Sequence, residues 1–231
     1  MKYLHEYDIR IDLNRVYLEK ATIRHLLTLT LGHDKMMLGS QNIAELKNTD
    51  LVSYVLNTPI LYEPGECFTY TSSAAYLMSV IIQKVTDMKL LDFANKYLFE
   101  PLEISGVTWR ESLQGYNLGC TGITIRNPDL NKIGRLFLND GKYNGKAIVS
   151  DSWIQKMKTV QVLTPLMFDP LSAIPKYGYG FNLWICDNGN YFCDGTDGQY
   201  IIMVPSKKFV ISTIGHQVDM RPITECLRKL L

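Results

Sequence analysis

A lysine three positions after a hydroxyl residue is one arrangement of side chains that can support covalent chemistry. On a helix the two side chains lie one turn apart, so the amine can take the hydroxyl proton during attack on a carbonyl. No serine in this chain has a lysine at that distance, and the other common serine signature, Gly-x-Ser-x-Gly, does not occur. Thr86-Asp87-Met88-Lys89 has the spacing with threonine. It falls in a polar turn between two predicted helices, so we do not expect it to be a catalytic pair.

Other residues with suitable chemistry have structural explanations beside the functional ones. Tyr70 can transfer a proton, or lie half-buried with a hydrated hydroxyl. Cys120 lies in a Gly-Cys-Thr-Gly loop, but no histidine or aspartate stands at a recognisable spacing from it. His25 lies in an apolar helical stretch typical of a core histidine, whereas His33 and His216 stand near turns from which they can reach a cleft. None of these residues alone indicates a function.

Composition and charge exclude several classes of protein. A chain of 231 residues can bury a full core, as one large domain or two small ones. The formal net charge of +1 is unlike that of a nucleic-acid-binding protein. No apolar run approaches the roughly 20 residues of a membrane helix. Residues 1–8 mix charges and aromatics without the apolar region of a signal peptide, so the chain as written is expected in the cytoplasm.

The cysteines indicate neither a metal site nor a redox centre. They are scattered and odd in number, and none forms a Cys-x-x-Cys pair. We expect reduced thiols that are mostly buried as small hydrophobic side chains. The sequence predicts no metal and no cofactor. The five cysteines are Cys67, Cys120, Cys186, Cys193 and Cys226.

Hydrophobic spacing predicts a helical block in the first part of the chain. Ile9, Ile11 and Leu13 alternate with polar residues, which favours an extended lead-in. Thr22 and Ser72 are good N-caps for the helices that follow them. The predicted helices cover residues 23–27, 42–56 with interruptions, 72–85, 90–98 and 129–138, and one more opens at residue 152.

From residue 177 the period changes to that of short strands. The strand-like runs are separated by Asp-Asn-Gly-Asn, Gly-Thr-Asp-Gly and Pro-Ser-Lys-Lys turns, which favours an antiparallel meander of three or four strands. A terminal helix over residues 222–231 can then pack on the sheet. The predicted strands cover residues 177–185, 191–193, 200–204 and 209–214.

Five segments resemble, in order, those of the penicillin-recognising serine hydrolases, which include class C β-lactamases, D-alanyl-D-alanine peptidases and related esterases. Together they cover nearly the whole chain, which makes the resemblance far more specific than any one of them. The segments are T-I-R-H-L-L-T-L-T-L-G (22–32), P-G-E-C-F-T-Y-T-S (64–72), L-F-E-P-L (98–102), N-D-G-K-Y-N-G-K with V-S-D-S-W (139–146 and 149–153), and D-G-T-D-G-Q-Y (194–200).

The resemblance implies acyl transfer through a serine ester and assigns roles to five residues. Tyr70 is at the position of the catalytic tyrosine, and Ser72 at that of a residue that hydrogen-bonds the catalytic lysine or the substrate. Gln199 would donate its backbone N–H to the oxyanion, while Gly198 lets substrate approach the backbone. Thr196 stands where some relatives have a lysine or histidine that meets a substrate carboxylate, which argues against a ligand of that kind.

The resemblance also implies an α+β fold of the β-lactamase type, with an antiparallel sheet, flanking helices and a helical domain. In the family the Ser-x-x-Lys helix precedes the Arg-His-Leu-Leu-Thr segment by some tens of residues, so we expect the N-terminal part of the fold, with its first strands, to be missing. The predicted division is a lead-in over 1–21, a mainly helical domain over 22–138, and the remainder of the α/β part over 139–231.

Three functional hypotheses remain open. The first is a truncated or split serine hydrolase acting on a small ester, amide or β-lactam, which can be inactive or can complement a separately made N-terminal fragment. The second is a non-catalytic binding protein that keeps the hydrolase cleft. The third is an enzyme with a nucleophile foreign to the family. An unpaired sheet edge left by missing strands would favour self-association.

Overall fold

The computed structural model describes residues 2–39, 42–164 and 173–229. The chain divides into two compact units, one formed by residues 1–99 and 105–124 and the other by residues 100–104 and 125–231. The division into residues 1–21, 22–138 and 139–231 expected from the sequence stays a prediction, and residues 125–138 lie in the second compact unit. The helix predicted over residues 129–138 therefore belongs to the second unit.

The first unit is mainly helical in the part that is described. A 3₁₀ turn precedes its helices, the last of them continues into a π-helical turn, and a two-stranded ribbon completes the unit. The elements are the 3₁₀ turn (Lys2–Leu4), α1 (Asp12–Lys20), α2 (Ile23–Leu27), α3 (Leu51–Leu56), α4 (Ser73–Thr86), α5 (Leu90–Ala94), the π-helical turn (Asn95–Phe99), β1 (Thr108–Trp109) and β2 (Ile123–Thr124).

The helix α4 is the buried centre of this unit, as its sequence predicts. Tyr76, Leu77 and Val80 are completely buried, because α4 is apolar on nearly every side and must be covered all round. The helix stops where Asp87 adopts a left-handed conformation, with φ of 54°. A residue in that conformation is a common way for a helix to end.

The predicted extended lead-in over residues 1–21 is wrong for residues 12–20, which form α1. The buried positions are Asn14 and Leu18, four residues apart, while Leu13 is exposed. The Asn14 amide donates to the carbonyls of Leu56 and Thr58 and accepts from a third backbone group. The hydrogen bonds of the buried Asn14 therefore determine which face of α1 is buried. A prediction based on the spacing of apolar residues does not detect a buried polar residue.

The second unit contains a six-stranded antiparallel sheet with the strand order β10-β9-β8-β7-β6-β5. Helices and a small two-stranded ribbon accompany it in the described part. Its elements are α6 (Asn127–Leu138), β3 (Lys142–Tyr143), β4 (Lys146–Ala147), α7 (Asp151–Met157), β5 (Val162–Leu163), β6 (Gly178–Tyr179), β7 (Trp184–Ile185), β8 (Tyr191–Gly195), β9 (Gln199–Val204), a 3₁₀ turn (Pro205–Lys207), β10 (Phe209–Thr213) and α8 (Arg221–Arg228).

The single strand predicted over residues 177–185 is instead the hairpin of β6 and β7. Asn182 has a left-handed φ of 53°, and the N–H of Gly180 donates to the carbonyl of Leu183 at 2.8 Å. A Cβ at Gly180 would lie 2.0 Å from the carbonyl oxygen of Met157, so a larger residue does not fit. The turn follows from this close backbone approach, which the apolar composition of the run conceals.

The helix α6 packs closely on β9 and β10 through a glycine. A Cβ at Gly134 would lie 2.4 Å from Val210 and 2.8 Å from Ile201. Next to this contact, Tyr191 and Met203 belong to a buried apolar cluster that α6 and α7 help to cover. The opposite face of the sheet carries Trp184, Phe192 and Tyr200, which are also buried and whose rings contact one another.

His33, which stands near a turn, is buried. The residue is only 2% exposed. Neither ring nitrogen makes a hydrogen bond of ordinary geometry to a described residue. Burial lowers its pKa to about 4, although the nearby carbonyls of Val55 and Thr58 favour the charged ring. The imidazole is therefore neutral in the folded chain near pH 7.

We expect the free energy of unfolding to fall as the pH is lowered from 6.5 toward 4. In this window the unfolded His33 takes up a proton while the folded one, with its pKa of about 4, does not, so acid favours the unfolded state. The contribution of this residue is a loss of about 2 kcal/mol at pH 5. Urea unfolding of the wild type and of His33→Phe at pH 7 and pH 5 measures it.

The matched control is His5→Gln, which removes an exposed imidazole and should keep the wild-type pH dependence. A His33→Phe variant that loses as much stability at pH 5 as the wild type would contradict the role of His33.

Candidate active site

The loop that leads to Tyr70 is hydrogen-bonded to the segment that follows α2. These are the first two family-like segments of the sequence, and the structure joins them through backbone groups. Gly32 has a φ of +108°, and a Cβ there would lie 2.1 Å from the carbonyl oxygen of Tyr62, so this contact requires glycine. The bonds run from the N–H groups of Leu61 and Tyr62 to the Gly32 carbonyl (2.9 and 3.2 Å), from Gly65 to Thr30 (2.8 Å) and from Thr69 to Leu29 (3.0 Å).

Tyr70 and Ser72 lie at the entry to α4, and both are half-buried. The predicted capping role of Ser72 is wrong: Ser72 stands at the N-cap position with helical backbone angles, and its side chain makes no capping hydrogen bond. The neighbouring Thr71 anchors this point instead. Its hydroxyl oxygen accepts from the backbone N–H of Met37 at 3.0 Å and lies 2.9 Å from the Ser73 hydroxyl. Thr71 is buried, and it fixes the backbone between the two candidate residues.

The Thr-x-x-Lys pair is engaged in structural contacts. The Thr86 hydroxyl donates to the Ile82 carbonyl one turn earlier at 2.7 Å. The Lys89 ammonium lies 3.0 Å from a carboxylate oxygen of Glu111 and also donates to the Gly115 carbonyl. A lysine held by a carboxylate and a carbonyl is not a base for Thr86, in agreement with the sequence analysis.

Cys120 and His25 are also poor candidates for catalysis. Burial raises the pKa of the Cys120 thiol to about 12, so it is protonated near pH 7 and not an activated nucleophile. Burial, followed by the charge of Arg24, lowers the pKa of His25. The Nδ1 atom of His25 accepts from the backbone N–H of Thr22 at 3.3 Å, at the start of α2. His25 therefore has a structural role at that helix terminus.

In the second unit, Thr196, Gly198 and Gln199 form one tight turn between β8 and β9. The two strands stay in register up to the pair Gly195↔Gln199. Asp197 and Gly198 both have positive φ, 60° and 98°. Thr196 is exposed, Gly198 is buried and Gln199 is half-buried as the first residue of β9. The structure thus brings together the three residues assigned to the oxyanion side, while Tyr70 and Ser72 lie in the first unit.

Three hydrogen bonds and one charge contact tie this turn to residues 213–217, which comprise the last residue of β10 and the loop after it. The bonded groups come from both backbone and side chains, so the turn is held at each of its last three residues. The hydrogen bonds are Thr213 Oγ1 to the Gly198 carbonyl (2.8 Å), Gln199 Nε2 to the Gly215 carbonyl (2.8 Å) and the Gln217 N–H to the Asp197 carbonyl (3.0 Å); Asp197 Oδ2 lies 3.5 Å from His216 Nδ1.

Met220 packs against Gly198. A Cβ at Gly198 would lie 2.6 Å from the Met220 sulfur, and Met220 is almost completely buried. The space beside the glycine is therefore shaped by a flexible thioether side chain. Sequence analysis did not find Met220 or the segment over residues 213–217, because only the folded sheet brings the end of β10 beside the start of β9.

A largely buried pair of opposite charges holds the strand before the turn, and nothing in the sequence indicates its role. Asp194 accepts from the indole N–H of Trp184 at 2.8 Å and lies 3.0 Å from the Lys176 ammonium. That ammonium also lies 4.6 Å from the centroid of the Trp184 ring. A cation and an aromatic ring attract in this geometry. Trp184, predicted as a packing residue, therefore also orients the aspartate that precedes the turn.

The residues that the structure describes contain no group of three or more His, Cys, Asp and Glu side chains placed to hold a metal ion. None of their helices has the length and apolar character needed to cross a membrane.

Comparison with known proteins identifies the family. A family model described as Beta-lactamase matches residues 2–220. The chain belongs to the β-lactamase family. The α+β fold predicted from the sequence is confirmed, since solved structures of penicillin-binding protein homologues share it. The relation to penicillin-recognising serine hydrolases is confirmed with it.

Individual members of the β-lactamase family resemble this chain over different lengths. The 6-aminohexanoate-dimer hydrolase of Paenarthrobacter ureafaciens is 25% identical over 158 residues, which is 66% of this chain and 40% of that protein. A Bacillus anthracis structure, provisionally named a 6-aminohexanoate-dimer hydrolase, has a TM-score of 0.74 at 19% sequence identity. The superposition covers 96% of this chain and 65% of the Bacillus anthracis chain. A penicillin binding protein from Bacillus halodurans has a TM-score of 0.69 at 14% sequence identity. The superposition covers 100% of this chain and 80% of the Bacillus halodurans chain.

We expect Thr71→Val to destabilise the first unit by about 1–3 kcal/mol, because it leaves the buried Met37 N–H without its acceptor. Ser72→Ala is the matched control and should change stability by less than about 0.5 kcal/mol, since Ser72 does not cap α4. Urea unfolding of both variants measures the difference. If both substitutions lowered the free energy of unfolding equally, the assignment of the anchoring role to Thr71 and not to Ser72 would be wrong.

Proposed function

We propose that this chain contributes the tyrosine and oxyanion parts of a serine hydrolase active site in the β-lactamase family. The nucleophilic serine and its lysine would come from polypeptide outside these 231 residues, as a truncated or split form of the enzyme requires. The observation that carries the proposal is that the family-like segments with Tyr70 and with Gln199 are both present while no Ser-x-x-Lys occurs in the sequence. The engaged Thr86–Lys89 pair and the protonated Cys120 support the same conclusion.

The proposed reaction is acyl transfer in two steps. The serine oxygen attacks the substrate carbonyl, and its proton passes through Tyr70 and the lysine to the leaving amine or alcohol as that bond breaks. Water then attacks the serine ester and gives up a proton to the same groups, which releases the acid and restores the serine. The backbone N–H of Gln199 would stabilise the negative oxygen in both tetrahedral intermediates.

The proposed substrate is a small ester, amide or β-lactam. The names of the 6-aminohexanoate-dimer hydrolases support an amide among these, although they describe those proteins and not this one. Thr196 occupies the position where some relatives have a cation for a substrate carboxylate. It adds no positive charge beside the turn, so we propose a substrate without a carboxylate at that point.

An N-terminal fragment of the hydrolase is the proposed partner. Within the described residues β10 pairs only with β9, so it is an edge of the sheet. Phe209, Val210 and Ile211 are half-buried along it. An edge of apolar residues readily pairs with a further strand. Strands of the missing segment can supply that cover, and self-association is the competing outcome.

A non-catalytic binding protein is the second candidate function. It is favoured by the same observation, because the described side chains that resemble a nucleophile are protonated or engaged. In that case Tyr70, Ser72 and the Thr196–Gln199 turn would bind a ligand without reacting.

The test joins this chain to an N-terminal segment that carries the Ser-x-x-Lys pair of the penicillin-recognising serine hydrolases. We expect a fluorophosphonate and a fluorescent penicillin to give a covalent adduct with the joined protein and none with the chain alone, as read by intact mass. Tyr70→Phe should slow acylation of the joined protein by about 10²–10⁴-fold. Tyr62→Phe, in the exposed part of the same loop, is the control and should leave the rate unchanged.

Each outcome decides between the candidates. An adduct on the chain alone would refute the missing-nucleophile proposal and would identify the reactive residue by peptide mapping. A folded joined protein with no adduct would favour the non-catalytic binding protein. Size-exclusion chromatography of the chain with and without the free N-terminal segment separates fragment binding from self-association.

A further inference from the structure

A cavity of about 400 Å³ lies in the second unit beside Gly198. It is bounded by the segment over residues 213–217, which the hydrogen bonds described above fix to the β8–β9 turn. The wall of the cavity formed by residues 213–217 is therefore fixed in position relative to Gly198 and Gln199. Its apolar lining consists of Ile214, Met220 and Ile223.

The apolar lining suits an aliphatic chain. Ile214 and Ile223 are exposed to 49% and 39%, and covering such side chains with a ligand removes apolar surface from water. Met220 forms the floor against Gly198, and a methionine adapts its shape to ligands of different width. An extended hydrocarbon bound here can therefore cover Ile214, Ile223 and Met220 together.

The charges around the cavity favour a cationic ligand. Asp197 is next to Gly198, and its partner His216, which lines the cavity, has a side chain 98% exposed at a distance of 3.5 Å. Such a distant and solvated contact holds the carboxylate weakly. The Asp197 side chain is 29% exposed, so a ligand ammonium placed beside His216 can also reach its carboxylate.

The arginines next to the cavity residues are already paired. Arg221, adjacent to Met220, makes two side-chain hydrogen bonds to Asp219, of 2.9 and 2.7 Å, which lower the pKa of that carboxyl to about 2. Arg126, adjacent to Asn127, lies 2.7 Å from Asp129, which Lys132 also contacts. The charge of each arginine is therefore already compensated by a carboxylate of this chain, which weakens its attraction for a ligand carboxylate.

We propose that this cavity binds the aliphatic chain of a primary amine, with Asp197 receiving the ammonium. In a substrate, the corresponding group is an acyl or leaving group that carries an ammonium on an alkyl chain. This assignment to the substrate rests on the proposed function. The binding of the amine itself does not, because every residue involved belongs to the second unit of this chain.

The test titrates the ¹⁵N-labelled chain with three six-carbon probes: hexylammonium, hexan-1-ol and hexanoate. We expect shifts of the Gly198, Ile214 and Gly215 amide signals and an affinity for hexylammonium about three- to fivefold above that for hexan-1-ol, as expected for a partly exposed charge pair. Hexanoate should bind most weakly. Ile214→Ser should weaken binding of hexylammonium and hexan-1-ol together, because it removes a shared apolar wall.

Asp197→Asn should remove the preference for hexylammonium over hexan-1-ol. Asparagine adopts the left-handed conformation at this position readily, so the turn should still form. Asp187→Asn is the matched control, since it removes an exposed carboxylate on the turn between β7 and β8, and it should preserve the preference.

Three results would overturn the proposal: equal affinity for all three probes, tightest binding of hexanoate, or an unchanged ammonium preference in Asp197→Asn. These measurements need no nucleophile, so their failure is distinct from a failure of acylation. If the joined protein reacts but the chain binds no amine, the hydrolase proposal stands and this one falls.

Discussion

The second unit depends on one constraint: the carbonyl groups of a turn with two consecutive positive φ angles must find partners outside the turn. The turn itself is narrow, and Asp197 and Gly198 direct their carbonyls away from the β8–β9 ladder toward residues 213–217. Buried polar backbone groups are costly when unpaired. The loop after β10 therefore folds back on the turn, and this contact places Met220 against Gly198 and His216 near Asp197.

In the first unit, backbone groups of a loop also find their hydrogen-bond partners outside that loop. The loop before Tyr70 has few strand or helix bonds of its own, so its N–H groups use the carbonyls of residues 29–32. Gly32 permits the close approach, and Thr71 then locks the entry to α4. In both units a candidate functional segment is positioned by hydrogen bonds to a second loop, with a glycine at the point of contact.

The sequence correctly predicted the elements in which the spacing of apolar residues matches the buried positions. The helix α4 and the strands β8, β9 and β10 are apolar in simple patterns, and they lie close to their expected bounds. The prediction failed where a polar group decides the structure. Asn14 turns the lead-in into a helix, Asn182 divides the expected strand, and Thr71 anchors the start of α4 although Ser72 was expected to cap it. The candidate residues were found only through the family resemblance, and Asp194 with Lys176 needed the folded sheet.

The way in which residues 213–217 are attached bears on how specificity can evolve. The attachment uses backbone groups together with the side chains of Thr213 and Gln199. The side chains of residues 214 and 216 take no part in these hydrogen bonds, although they line the cavity. Mutations at these two positions can therefore change which ligands are accepted while the position of the Gln199 backbone is retained. Selection can act on ligand preference here without first having to repair the geometry of the oxyanion side.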